Sequence, residues 1–202
     1  MLHDERGDRA GPMPAAGDGD AEPAEVRLIN RVAAGDLDAF ERLYRLYHGR
    51  LTRFLDRMTR RRSLVEEVLN DTMLVVWKRA RSFNGQSKVS TWVFAIAYRT
   101  ALKALRRLDE PVQEPEAERA AEEDVGPERH RADREAREAL ARALDGLSHE
   151  QRSVLVLTYF HDLPYAEIAV IVDCPVDTVK TRAFHGRRRL RALLAGEPED
   201  WL

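Results

Sequence analysis

The chain has 202 residues, with 33 Lys and Arg against 35 Asp and Glu, a net charge of −2 and one cysteine. That length holds one domain or two small ones. A lone Cys174 excludes an intrachain disulfide framework and a cysteine zinc site, and no apolar run approaches the ~18 residues that a membrane span requires. With so little net charge, affinity for a polyanion has to come from a local patch and not from the field of the whole molecule.

Residues 1–23 are acidic and rich in Gly, Pro and Ala, without the basic start and apolar run of a secretion signal. They predict a disordered tail on a soluble, cytoplasmic protein. Residues 24–108 are dense in helical pattern. Phe40, Leu43, Tyr44, Tyr47, Leu51, Phe54, Leu55 and Met58 follow a spacing of three and four, so one long amphipathic helix is expected there. A second helix is expected from about Ser63 to Arg81, with Leu64, Val68, Leu69, Thr72, Val75 and Val76 on one side. Ser63 with Glu66 three positions on reads as a capping box. The Asn84-Gly85 pair and its polar neighbours predict a loop from Phe83 to Val89. Ser90 or Thr91 then caps a third helix, Trp92 to Arg107, whose inner face is Trp92 or Val93, Ile96, Thr100, Leu102 and Leu105. Arg99, Lys103, Arg106 and Arg107 lie mostly opposite.

Residues 109–133 carry three prolines and many acids with almost no large apolar side chain. They are expected to be a flexible linker, too poor in apolar surface to fold alone. Residues 134–195 are helical in pattern again, and 196–202 form a second short tail. Ser148 is expected to cap the helix His149–Phe160. The strand-like Val154–Thr158 lies inside its helical period. The expected fold class is all-α: two small helical domains joined by an acidic linker.

The stretch from Leu163 to Leu194 reads as a helical hairpin. Pro164 suits a first helical turn, and Ile168, Ala169, Ile171 and Val172 recur at helical spacing. Pro175 stops that helix near Asp173, a residue that tolerates the left-handed turn conformation. Asp177 caps the second helix or sits in its first turn, and the cap is the preferred reading. Val179, Ala183 and Leu190 face inward, while Lys180, Arg182, Arg187, Arg188, Arg189 and Arg191 lie on or beside the outer face. A basic face alone is commonly just a solvated one. Turn chemistry, helix spacing and one-sided charge agree here, so the hairpin is expected to enter a DNA major groove.

Four segments carry a resemblance: GDLDAFERLYRLY, EEVLNDTMLVVWKRARSF, STWVFAIAYRTALKALRR and the C-terminal hairpin. Together they resemble a bacterial RNA polymerase sigma factor of the sigma-70 family, in the compact extracytoplasmic-function group that keeps only regions 2 and 4. The resemblance implies that 24–108 is region 2 and 134–195 is region 4. It implies three sets of contacts. Glu66, Glu67, Asn70, Asp71 and Met73, with Thr72 and Trp77, look like the helix that docks on the beta prime clamp helices of core polymerase. Such a mixed acidic and amide face suits a basic helical partner. Asn84, Ser87, Lys88, Ser90, Thr91 and Trp92, beside Phe83, resemble the part that reads and melts the −10 element. A base leaving the stack needs polar groups for its edge and flat or apolar walls for its faces. Arg99 and Lys103 would meet phosphates of the opened strand. Thr178, Lys180, Thr181, Arg182 and His185 are the early recognition-helix positions that would read duplex DNA at −35, with Arg187, Arg188 and Arg189 as phosphate contacts.

The chain departs from the family at Val75, at Tyr98-Arg99, at Lys103, and at Asp173 and Asp177, where glycine is frequent. The −10 and −35 preferences are therefore expected to be its own. The resemblance further implies core polymerase (beta prime clamp helices and beta flap), promoter DNA and an anti-sigma factor as partners. It also gives the linker a path through the RNA exit channel, as an acidic mimic or as a passive tether. A stand-alone helix-turn-helix regulator is the alternative, but it leaves the polar loop beside Arg99 and Lys103 without a purpose. No zinc-protease helix, phosphate-binding glycine loop or nucleophile among acids is present, and the six histidines are scattered. No catalysis, cofactor or metal is expected.

Overall fold

The computed structural model describes residues 21–109 and 138–195, and among these there are only helices and turns. The tail and linker expected over 1–23 and 109–133 lie outside the described residues, except that Ala21–Pro23 and Asp109 belong to helices. Eight helices run in order among the described residues: α1 (Ala21–Ala33), α2 (Leu37–Thr59), α3 (Arg62–Arg79), α4 (Val89–Asp109), α5 (138–145), α6 (His149–Tyr159), α7 (Tyr165–Val172) and α8 (Val176–Ala195). A single 3-10 turn, Ala80–Ser82, leads from α3 into the loop before α4.

Helices α1 to α4 pack around Ile29, Leu43, Leu51, Phe54, Leu69 and Val93, all fully buried. Asp36 caps α2 by accepting from the Ala39 N–H at 3.0 Å, and Arg31 holds that carboxylate from the end of α1. Both bonds keep the Asp36 carboxyl below the usual carboxylate range. Tyr47 donates to buried Glu25 at 2.8 Å, tying α2 to α1.

Four helix starts differ from the sequence pattern. Ser63 is the second residue of α3, which begins at Arg62 with Arg61 as an uncapped N-cap. The cause is the link before it. Arg60 adopts φ 56° and closes α2 through its own N–H, so the chain re-enters helical geometry at once. In α4, Val89 is already helical and the Trp92 N–H bonds Lys88 at 3.1 Å, so Ser90 and Thr91 lie in the first turn and do not cap. Pro164 sits at the N-cap of α7, outside its first turn. Asp177 lies inside the first turn of α8, and its carboxylate takes Lys180 at 2.8 Å instead of capping. The expected features hold elsewhere. Asp173 is left-handed at φ 52°, and the Ser148 hydroxyl caps α6 by accepting from the Gln151 N–H at 3.3 Å.

Helices α5 to α8 form the second cluster. Six consecutive residues of α6, Arg152 to Leu157, are buried, because the helix is covered by α8 and α7 on one side and by α2 on the other. Gly186 lets α8 approach α6 closely: a Cβ there would meet the Leu155 side chain at 3.2 Å. The two clusters are packed on one another. Phe94, Ala95, Ala97 and Tyr98 join Val93 and Ile96 in burial, so the first half of α4 has no exposed side. A one-sided inner face was expected. Helix α7 covers what would otherwise be its outer face.

Candidate nucleic-acid interface

Helix α3 carries the first candidate surface. Burying Leu64, Val65, Val68, Leu69, Thr72 and Val76 turns Glu66, Glu67, Asn70 and Asp71 to solvent on the opposite stripe. Asn70 accepts a long bond from Tyr44 at 3.4 Å. Met73 does not belong to that stripe: it is 2% exposed and part of the core. The exposed apolar side chain of this face is Leu74, at 47%. One residue of phase separates the two, and the packing of α3 against α2 and α4 decides between them. Thr72 is buried, donating to Val68, and Trp77 is half-buried with its ring edge-on to Phe40 at 5.1 Å. Val75 is half-buried.

The second surface is the loop before α4 and the exposed side of that helix. Asn84 folds the loop by accepting from the Gln86 N–H at 3.1 Å, and Gly85 supplies the positive φ of 72° that the turn needs. Lys88 is exposed, and Ser87, Ser90 and Trp92 are half-buried. The Trp92 ring meets Phe83 edge-on at 5.7 Å, which makes a small aromatic wall beside the loop. Thr91 is 1% exposed and donates to Glu167 of α7 at 2.9 Å. Further along, Arg99 and Lys103 reach solvent over a groove of about 420 Å³ between α3 and α4. Lys78, Arg79 and Arg107 line the same groove, opposed by Glu67 and Asp71. The sequence pattern does not single out the cations contributed by α3, since helical spacing alone does not say which neighbouring helix shares a groove.

The third surface is the α7–α8 hairpin. Buried Ala169 and Val179 bring the helices together. Lys180, Thr181 and His185 are exposed; Thr178 and Arg182 are half-buried. Asp177 and Lys180 hold each other charged, the acid's affinity for protons lowered and the lysine's raised by their shared hydrogen bond. Arg182 donates to the Cys174 sulfur at 3.6 Å, which aims the guanidinium along the turn. The three arginines are not equivalent. Arg187 is half-buried and donates to the Tyr165 hydroxyl at 3.1 Å, whereas Arg188 and Arg189 are exposed, Arg189 donating to the Gly146 carbonyl at 2.7 Å. Phe184, 57% exposed and stacked edge-on against His185 at 5.3 Å, is an unforeseen member of this surface. An apolar ring there suits a thymine methyl.

Residues 43–110 match the family model described as Sigma-70 region 2, and residues 137–190 match Sigma-70, region 4. The chain is 30% identical to the ECF RNA polymerase sigma-E factor of Haemophilus influenzae over 173 residues, which is 81% of this chain and 91% of that protein. It is 31% identical to the ECF RNA polymerase sigma-E factor of Escherichia coli strain K12, over 81% of this chain and 90% of that one. Among solved structures, the fold is similar to CnrH in complex with the cytosolic domain of CnrY, with a TM-score of 0.66 at 23% identity over 87% of this chain and 99% of that one. It is also similar to RpoE in complex with the anti-sigma factor NepR from Bartonella quintana, with a TM-score of 0.61 at 23% identity over 79% and 98%.

Proposed function

The chain belongs to the sigma-70 family of RNA polymerase sigma factors, in its extracytoplasmic-function group, and we propose that its three surfaces divide promoter recognition among them. The exposed stripe Glu66, Glu67, Asn70 and Asp71, with Leu74 as its apolar member, docks on the clamp helices of core polymerase. The loop at Asn84, Ser87 and Lys88, with Ser90, Thr91 and Trp92, captures a base of the opening −10 element. Arg99 and Lys103 hold the strand's phosphates, and Lys78 and Arg79 extend their groove. Thr178, Lys180, Thr181, Arg182 and His185 read duplex DNA at −35, and Arg188 positions the helix on the backbone. Polymerase performs the chemistry, and the protein works in the cytoplasm. Its further partners are the beta flap and an anti-sigma factor; the similar RpoE structure is itself a complex with the anti-sigma factor NepR.

The observation that carries this reading is the pairing of two unlike surfaces in one chain. A helix-turn-helix alone serves any duplex-binding regulator. Glu67 and Asp71 of the α3 stripe share a groove with five cations of α3 and α4, an arrangement that suits a place where a protein partner and an opened strand meet.

Run-off transcription with purified core polymerase on a genomic promoter library is expected to give discrete start sites that require this protein. No start sites, together with tight duplex binding by the protein alone, would favour the stand-alone regulator. On a promoter so found, Arg182→Ala is expected to weaken binding to −35 duplex about tenfold and to leave core affinity unchanged. Asp71→Ala is expected to do the reverse, lowering core affinity about fivefold. Equal loss of both activities in either variant would contradict the division of surfaces.

A further inference from the structure

The packing of the two helical clusters places an acid of the hairpin on the −10 surface. Glu167 sits in the first turn of α7. One carboxylate oxygen accepts from Thr91 Oγ1 at 2.9 Å, and the other lies 3.3 Å from Lys88 Nζ. Both partners belong to the loop and helix start assigned to the −10 element, and the role of Glu167 rests on that assignment. The Glu167 side chain is four-fifths buried, against a lysine that is half exposed. A carboxylate on a lysine ammonium and a threonine hydroxyl makes the charge-assisted bonds that a DNA phosphate would make.

We propose that Glu167 is a self-inhibitory latch, a carboxylate that occupies the phosphate position of the −10 surface and holds the two domains closed until polymerase separates them. Each bond of the latch is individually weak, because an ion pair with one partner half in solvent contributes little and a single hydroxyl bond contributes modestly. That suits a device that must open. The closed state also rests on the apolar packing of α4 against α7 and on the Arg60–Asp145 pair at 2.8 Å, so binding to polymerase has to exceed the sum of these contacts and the latch together.

The test uses the full chain with Cys174→Ser and spin labels at Arg42→Cys and Arg191→Cys, both exposed positions on different clusters. Interdomain distances are measured by electron–electron double resonance. Binding of a fluorescent pool of random 12-nucleotide single strands is measured in parallel, each in Glu167→Lys, Lys88→Glu and the exchanged double variant. The expected result is a single short distance in the parent, a longer or broader distribution in each single variant, and return of the short distance in the double variant. Glu167→Lys is also expected to bind the pool about three- to tenfold more tightly than the parent. Since lysine in a first helical turn can weaken α7 itself, Glu167→Gln, which removes the charge without adding one, is the control: a short distance retained in both Glu167→Gln and Lys88→Glu would overturn the latch. A parent already open would overturn it too. If Glu167→Lys opens the protein and strand binding does not rise, Lys88→Ala in that open background identifies what failed. Reduced strand binding there overturns the masking claim with the −10 assignment intact. Unchanged strand binding overturns the −10 assignment and the masking with it.

Discussion

Arg152→Ala is expected to lower the unfolding free energy by about 3 kcal/mol, to be measured by urea denaturation at neutral pH. Arg152 is 5% exposed at the second turn of α6. Its guanidinium serves four carbonyls: Nε donates to Leu144 at 2.8 Å, Nη1 to Met58 at 3.1 Å, and Nη2 to Asp145 and Leu147, each at 3.1 Å. Three of these oxygens close the end of α5 and the turn after it; the fourth belongs to the last turn of α2. They lie at helix C-termini and the turn that follows, where carbonyls lack a full set of intrahelical partners and the backbone dipole favours a cation. Burial lowers the guanidinium's affinity for its proton and Asp145 works against that, but an arginine retains its charge in any protein. Removing the side chain leaves up to three acceptors without a donor in the interface, since the Leu144 carbonyl keeps the Leu147 N–H at 3.2 Å, and opens a cavity. Arg152→Lys recovers little, since a point ammonium cannot span acceptors that a planar fork reaches from three nitrogens. A loss below about 1 kcal/mol would mean that water enters and replaces the guanidinium. Because Met58 lies in the first cluster, the same variant is expected to loosen the closed arrangement.

Stability is expected to fall by about 2 kcal/mol between pH 6.5 and pH 4 through His161 alone. His161 follows the C-cap of α6, and its ring lies 5.0 Å from Phe94 and 5.9 Å from Phe54, edge-on to both. Its Nε2 is buried and has no hydrogen-bond partner among the described residues. Burial first, and then Arg50, Arg53 and Arg57 of α2, push the imidazole down to about 4 from 6.5, with Asp162 opposing. The folded protein therefore keeps the ring neutral, while the unfolded chain takes up a proton as pH drops below 6.5. The stabilisation is complete above pH 6.5, declines as pH falls toward 4 and levels off below that. The shift would be worth about 3.4 kcal/mol at full strength, and the half-buried ring in contact with solvent reduces it to about 2. His161→Phe keeps the aromatic packing and is expected to remove this part of the slope, so that its stability relative to wild type rises as pH falls from 6.5 to 4. Parallel pH profiles for both proteins would refute the assignment. Arg57, whose guanidinium stacks over Phe160 at 4.3 Å, marks the same seam from the other side.

The helices themselves could be read from the linear pattern with few errors, because apolar spacing and turn residues act locally. Asp173 in the left-handed conformation and Ser148 as a cap were legible for that reason. The errors fall where a neighbouring turn fixes the backbone before the side chain can act. Ser63, Ser90, Thr91 and Asp177 all have cap chemistry, and all lie inside helices that begin one or two residues earlier. Met73 illustrates a second limit. A thioether between an acid stripe and a core stripe can fall on either side, and only the contacts of α3 with its neighbours place it inside and Leu74 outside.

Local patterning, then, decides the helical class, the two clusters and the basic hairpin, since each depends on residues three or four apart along the chain. What depends on residues far apart is settled by packing. The Glu167 bond with Thr91 and the Arg152 bond with Met58 join positions 76 and 94 residues apart. The lowered proton affinity of His161 likewise depends on Phe54 and Phe94, two rings from distant parts of the chain. Each is a polar group whose partner lies across the seam between the clusters. No periodicity marks such a pair, because burial of a charge is decided by which surfaces meet and not by the side chain's own preference for water.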